Sequence, residues 1–397
     1  MKSSTCRKRQ LSAVWALVVV MGCGLALLGC EVPSSGPTLG TKPLVKIGLA
    51  ASFEGLGRPL GYEALAGTKL ALAERNASGG VGGYMVELVA LNDYGEPDEA
   101  RLQAREFAAD PAVLGVVTGW TEPTATAALP VYRAGGLGVV VPWGVPSSLA
   151  DGQAGIMLAA ADADQMARVL AEQVAAVEPK WVVLVADGPA ANLYGKALRS
   201  SGLQVEVVPP PDRLGARSVR DWASRLLMGG AVSPDALVLA ADGVLAAEIL
   251  STLAMLGWRG PVFGGAEVGS PHLVSVAGDK AAGLVFASPS PAGGDVRGLS
   301  EANGGSDLAD LGPRAVLAYD ATYVLLDAIE LAIRRDGYPS RMGVLAALPA
   351  VDRQGLTGPI GFDAAGHRLI APVWLYQVDS QGYPGHVVAS IQAGSGQ

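Results

Sequence analysis

Cysteine, histidine and charge are all scarce in this chain of 397 residues. It holds three cysteines (Cys6, Cys23, Cys30), three histidines (His272, His367, His386) and only 17% charged residues. The histidines are widely spaced and none lies in a metal-ligand pattern such as His-Glu-x-x-His, so no metal centre is expected. A Walker-type loop and a Gly-x-Ser-x-Gly elbow are also missing, which leaves phosphoryl transfer and serine hydrolysis without their usual parts. What remains of an enzyme reading is a carboxylate pair acting as acid and base, for which Asp242 and Glu267 are the candidates; at strand ends such residues are more often solvated or bind a ligand's polar groups. Lys and Arg number 29 against 37 acidic residues, a net charge of −8 that argues against a nucleic-acid partner. Aromatics are few, at 6%.

Apolar residues make up half the chain, with 53 Gly and 26 Pro, which is no disordered composition. At roughly 100 to 200 residues per domain, two or three globular units are expected. Lys2, Arg7, Lys8 and Arg9 precede an apolar run from Leu11 to Leu28, which ends in Leu27-Leu28-Gly29-Cys30 and a Pro/Gly/Ser-rich stretch to Lys42. A basic head, an apolar middle and a small residue before cysteine read as an export signal. The tetrad resembles the bacterial lipobox, in which the cysteine sulfur receives a diacylglyceryl group and cleavage follows at its amino side. Residues 1–29 then form a signal peptide and 30–43 the lipidated Cys30 with a linker. An uncleaved membrane anchor is the alternative, since the apolar run is long enough to span a thin bilayer. Acyl chains, at about 0.8 kcal/mol per buried methylene, would hold the mature protein on a membrane surface. Cleavage takes four basic residues with it, leaving 25 basic against 37 acidic and a net charge of −12. It also leaves Cys30 as the last cysteine, so stability must come from apolar cores rather than an internal disulfide.

After the linker, short β-branched runs alternate with helical patterns. Leu44 to Ala51, Met85 to Leu91, Leu114 to Thr118 and Leu137 to Val141 read as strands, separated by helices near Tyr62 to Ala77, Pro97 to Ala109 and Thr124 to Ala134. The rhythm breaks near Ser147 to Gly155 and restarts. Trp181 to Ala186, Gln204 to Val208, Ala236 to Ala240 and Val262 to Phe263 are strands in this second series, with helices near Asp164 to Val177, Asn192 to Ser201, Ser218 to Met228 and Val244 to Leu256. Strand then helix, repeated, means α/β architecture with parallel sheets covered on both faces, here two doubly wound units. Ser288 to Gly305 looks like a mobile surface loop. A long helix from about Pro313 to Arg335 and the segment Gly358 to Val378 complete the two units rather than form a third.

Gly55-Leu-Gly57-Arg-Pro-Leu-Gly61 follows a strand and precedes a helix, superficially as in a dinucleotide-binding turn. Pro59 inside the turn and the distance to Asn92-Asp93 speak against that, and no cofactor is expected; the commoner reading is a flexible turn whose backbone approaches a small ligand at the helix N-terminus. Trp120 and Trp143 are more informative. Each lies just beyond a strand, and the carboxyl edge of an open α/β sheet is where ligands bind. Exposed indoles there would supply apolar walls or a face for a cation, the alternative being that both only pack against loops.

Several local patterns then agree in order. Lys46-Ile-Gly-Leu-Ala-Ala-Ser-Phe-Glu-Gly55, with Gly61, Gly67 and Ala71 leading into Ala73-Glu-Arg-Asn-Ala-Ser-Gly79-Gly80-Val-Gly-Gly83, resembles the opening of the branched-chain amino-acid-type substrate-binding proteins of ABC transporters. Val86-Glu-Leu-Val-Ala-Leu-Asn-Asp93 with Pro97, Tyr194-Gly195, Ala318-Tyr-Asp-Ala321 and Thr357-Gly-Pro-Ile-Gly-Phe-Asp-Ala-Ala-Gly366 are similar to later segments of that family. The resemblance covers about Leu44 to Asp379. It implies a type I periplasmic-binding-protein fold: two lobes joined by three crossovers, lobe 1 from 44–158 and 286–355 and lobe 2 from 159–285 and 356–397, with ligand held in the cleft between them.

The resemblance also implies the site. The segment after the third strand, Trp120 to Thr124, and the one after the fourth, Trp143 to Val145, would hold the ligand, with Thr121 and Thr124 offering hydroxyls and Gly144 its backbone. Trp143-Gly144-Val145 stands where a hydroxyl is usual in amino-acid binders, which departs from a plain α-amino-acid site. Asp242 and Glu267 would reach in from the second lobe, with Asp162 and Asp164 near the first crossover more usually capping a helix. Several carboxylates would favour a ligand bearing an amine, a guanidinium or many hydroxyls. The implied function is that of an extracytoplasmic, lipid-anchored solute-binding protein, not an enzyme. It would deliver a small polar ligand, amino-acid-like, amine or amide, to the transmembrane subunits of an ABC permease. A ligand-sensing or envelope-regulatory lipoprotein of the same fold is the alternative.

Overall fold

Runs of valine, leucine and alanine too short for helices become strands buried on both faces, and the helices between them cover those faces. The computed structural model describes residues 42–151, 153–211, 215–228, 233–295, 312–379 and 382–394. The proposed signal peptide, Cys30 and most of the linker lie outside the described residues. No helix among the described residues is long and apolar enough to cross a membrane.

The first sheet runs β2-β1-β3-β4-β5 and is wholly parallel: β1 (Leu44–Ala51), β2 (Met85–Asn92), β3 (Val113–Val117), β4 (Gly138–Val141) and β5 (Ile156–Leu158). Helices α1 (Arg58–Ala77), α2 (Pro97–Ala109) and α3 (Glu122–Ala134) connect the first four strands. Every residue of β3, β4 and β5 is buried, as a parallel strand covered on both faces requires. β5 has three residues, too few for its pattern to stand out from the loop before it.

The second sheet has seven strands in the order β14-β13-β10-β9-β8-β6-β7. After the crossover helix α4 (Ala163–Ala175) come β6 (Val182–Val185), α5 (Gly188–Ser200), β7 (Val205–Val208), α6 (Ala216–Met228), β8 (Ala236–Leu239), α7 (Gly243–Met255), β9 (Val262–Gly264), α8 (Pro271–Ala277) and β10 (Val285–Ser288). These five strands are parallel to one another. The chain then returns to the first sheet as α9 (Pro313–Asp336), which packs along α1 and behind β3 and β4, and α10 (Arg341–Ala347). A small hairpin, β11 (Arg353–Gly355) with β12 (Gly358–Ile360), leads back to β13 (Ile370–Asp379) and β14 (Gly382–Gly394), both antiparallel additions to the second sheet. The chain thus passes three times between two α/β lobes.

Two expectations change. The boundary expected between 285 and 286 falls inside β10, whose residues bond to β9 and β13, so Phe286 to Ser288 lie in the second sheet. The stretch that begins at Ser288 is not all surface loop: Ser288, Ser290 and Ala292 are buried, and the Ala292 N–H donates to the Tyr376 hydroxyl at 2.6 Å. Residues 296–311 are outside the described set.

The crossovers are tied by one buried arginine. Arg368 donates to the carbonyls of Ala159 (3.0 Å), Thr357 (3.0 Å) and Pro359 (2.8 Å), linking the first crossover to the third. Asp320 on α9 accepts from the backbone N–H of Leu356 (2.8 Å) and Thr357 (2.9 Å) and from the Thr357 hydroxyl (2.6 Å). Burial is the largest influence on both, raising the Asp320 pKa and lowering that of Arg368 to about 10.

Candidate functional site

In each sheet the strand order reverses beside the first strand of the series, β1 against β3 and β6 against β8. Ligands of open α/β sheets bind at the carboxyl ends of strands at such switch points. Trp120 follows β3 and Asp242 follows β8, at these points, while Trp143 and Glu267 follow β4 and β9, one strand further along each sheet.

Trp120 and Trp143 follow β3 and β4 as expected, but neither is exposed: they retain 7% and 4% of their surface. The face of Trp143 is covered by a cation of the chain itself, the Arg314 guanidinium, whose Cζ lies 3.8 Å from the ring centroid. The Trp120 indole Nε1 is buried with no hydrogen-bond partner among the described residues. Thr121 is the N-cap of α3: its hydroxyl accepts from the Thr124 N–H at 3.4 Å and meets the Thr124 hydroxyl at 2.8 Å. A Cβ at Gly144 would meet the methyl end of the Met166 side chain on α4, which would have to move aside.

On the second lobe the two carboxylates part company. Asp242 is exposed and caps α7, accepting from the N–H groups of Val244 (2.8 Å) and Leu245 (3.1 Å), so its carboxylate has a local task. Asp162 likewise caps α4 in a capping box with Gln165. Glu267 is exposed, and desolvation is the largest influence raising its pKa. Its Oε2 lies 3.5 Å from the Tyr194 hydroxyl. Arg314 acts to lower that pKa and Glu122, at the start of α3, to raise it, so both first-lobe charges are felt at Glu267. An accessible carboxyl with a raised pKa, beside a phenol and within reach of a cation from the other lobe, is a candidate ligand contact.

Four residues of this constellation escape a reading of the sequence. Arg314 is 6% exposed, and burial is the chief influence lowering its pKa, against Tyr383, Glu63 and Glu267. Glu63 on α1 has its pKa pushed up to about 7, first by burial, with the Arg314 charge and backbone N–H working against that. Tyr194 and Tyr383 are phenols whose pKa burial raises. One signal does exist in the sequence: Arg314 sits one residue into a helix whose N-terminus already carries positive partial charge, a placement that needs an acid nearby. Gly61, inside α1, serves close packing, because a Cβ there would collide with the Ser52 carbonyl, whereas Gly55 in the turn before it has positive φ and open space around its Cα.

A two-lobed α/β frame with charged and aromatic residues gathered at the strand ends is the architecture of a small-molecule binding protein. Residues 44–383 match the family model described as periplasmic binding protein, and the chain belongs to that family. Its members are non-enzymatic proteins of the extracytoplasmic space that bind small molecules. Among solved structures, the leucine-binding protein of Thermotoga maritima is similar, with TM-score 0.74, 23% identity, and coverage of 87% of this chain and 98% of that one. A branched-chain amino acid transporter substrate-binding protein of Streptococcus pneumoniae, in complex with isoleucine, gives TM-score 0.73 at 21% identity over 88% and 99% of the two chains. A solute-binding protein of R. palustris in complex with 4-hydroxybenzoate gives TM-score 0.73 at 19% identity over 88% and 97%. No curated protein matches the chain by sequence. The fold is thus the type I periplasmic-binding-protein fold.

Proposed function

We propose that this protein is a lipid-anchored solute receptor that takes a small polar, amino-acid-like ligand into the cleft between its lobes and delivers it to the transmembrane subunits of an ABC permease. The observation that carries the reading is the pairing of Trp143 with Arg314 in the first lobe and of Tyr194 with Glu267 in the second, with the Arg314 charge felt at Glu267. Trp120, Thr121, Thr124 and Gly144 line the first-lobe edge in this reading, and Glu267 receives an amine or hydroxyl of the ligand. Hinge closure over such a ligand creates a surface that a permease can tell from the open form. Diacylglyceryl modification of Cys30 would keep the receptor at the membrane.

A thermal-shift screen of amino acids, amides and aromatic and aliphatic acids tests the binding step. A ligand at 100 times its Kd stabilises by about 2.7 kcal/mol. A flat response across every class removes the receptor reading and leaves the regulatory alternative. Cys30→Ser should leave an unprocessed precursor without acyl groups; normal cleavage and release of a soluble chain, seen by mass spectrometry, would overturn the anchor.

A further inference from the structure

Two opposite charges at the N-terminus of α9 sit within electrostatic reach of each other, each with an unsatisfied atom. Arg314 Nη1 and Glu63 Oε2 are buried, and neither has a hydrogen-bond partner among the described residues. One face of the guanidinium is closed by Trp143 at 3.8 Å, so its donors point outward in the plane. The Glu63 carboxyl lies against Gly312 and the Arg314 N–H, at the start of a helix 24 residues long. A planar fork of donors with a free N–H matches a carboxylate, and the adjoining helix N-terminus favours negative charge. Buried donors left unpaired are costly, which makes an incoming acceptor worth more here than at the surface.

We infer that Arg314 and Glu63 form one acid-recognition subsite, in which Arg314 binds the ligand's carboxylate and Glu63 takes up a proton from solvent as that carboxylate arrives. This rests on the cleft reading above and gives its ligand a second pole, opposite Glu267. Two carboxylates beside one guanidinium cannot both stay ionised without cost, so the arriving anion displaces Glu63 from the charged form. The groups facing Glu63 give it little other support. Arg314 is its compensating cation, Tyr383 from β14 is a neutral phenol, and Glu267 with Glu122 beyond it adds negative charge around Arg314. The neighbouring cation Arg58 is held over the Tyr62 ring, 5.5 Å from its centroid. Because burial already places the free Glu63 near pH 7, the linkage falls in an accessible range. Affinity for an acid is then constant below about pH 7 and falls up to tenfold per pH unit above it, until the pKa of the complex is reached.

The test is calorimetry on the full-length protein in detergent between pH 6 and 8.5. The probes are L-leucine, 4-methylpentanoate and 4-hydroxybenzoate, with the primary amides of the latter two. At least one acid should bind, its affinity falling above pH 7, with proton uptake visible in buffers of different ionisation heat. For the two pairs, acid should exceed amide by about tenfold or more at pH 6. Glu63→Gln should keep acid affinity at pH 6 and flatten the pH profile. Arg314→Met should erase the preference for acid over amide, and Arg314→Lys, which keeps the charge and guards against misfolding, should weaken it. Failure of every acid to bind, an amide equal to its acid, or an unchanged slope in Glu63→Gln overturns the subsite. If Glu267→Gln still weakens a bound probe, the cleft reading survives that failure. If Trp143→Ala, Glu267→Gln and Arg314→Met all leave a bound probe's affinity untouched, the cleft reading falls as well.

Discussion

Trp143 shows how a side chain can be found for one reason and employed for another. Its place after β4 marks it in the sequence as a cleft wall, but at 4% exposure under the Arg314 guanidinium it is also a core residue. Trp143→Ala should therefore cost stability as well as binding, about 3 to 5 kcal/mol for a buried aromatic removed from a packed site, read from urea denaturation. Unchanged stability would return it to the simple wall that the sequence suggests. Glu63 has the opposite character, a group that weakens the fold when charged. Its folded pKa, about 7, stands above its ordinary value of 4.5, so the native state binds more protons than the unfolded one across that interval. Stability from this group is then present below pH 4.5 and lost as pH rises through 7. Glu63→Gln should raise the melting temperature more at pH 8 than at pH 5; an equal shift at both would mean that Glu63 does not titrate between them.

At the scale of elements, helix starts explain most of the polar residues that the sequence offers as ligand contacts. Ser, Thr and Asp are preferred N-caps, and the residue after a strand in an α/β unit is often both an N-cap and a site residue, so sequence alone cannot separate the two tasks. Asp242 accepts two backbone N–H groups of α7 from an exposed position. Asp242→Ala should cost about 1 kcal/mol of stability and leave ligand affinity within twofold. A loss of affinity with stability intact would restore it to the site. The parallel strands were legible because continuous valine and leucine runs between helical periods have few other solutions. β5 and β10 were not, being three and four residues long beside Gly- and Ser-rich stretches. Asp320 and Thr357 were visible as parts of two local patterns, but only the fold brings them into a hydrogen bond of 2.6 Å. Arg368→Met should test the tie between the crossovers. It leaves Asp320 buried without its cation, and about 3 to 5 kcal/mol of stability should go with it, measured by denaturation at pH 7.

For the whole molecule, the proposed receptor function requires an open and a closed arrangement of the two lobes. Arg368 joins two crossovers through main-chain carbonyls, so bending there is expected to turn the lobes as bodies rather than unravel either sheet. One contact joins the lobes away from the candidate ligand residues. The His272 Nε2 of α8 lies 3.0 Å from the carbonyl of Leu56 in the turn before α1, a hydrogen bond between lobes at an exposed position. A contact made only when the lobes are together adds to the free energy of closure, and the apparent affinity follows the fraction of protein able to close. A hydrogen bond of this kind is worth about 0.5 to 1.5 kcal/mol, so His272→Ala should weaken binding of a confirmed probe by roughly two- to tenfold. The change should fall mainly on dissociation, because the bond forms after the ligand is seated. Melting temperature without ligand should stay within a degree or two, since the side chain supports neither core. X-ray scattering completes the test: the radius of gyration should fall when the probe saturates the wild type, and fall less in His272→Ala at the same probe concentration. A variant that binds and compacts as the wild type does would show that closure draws nothing from this contact, and a wild type whose radius does not change at saturation would remove hinge closure itself.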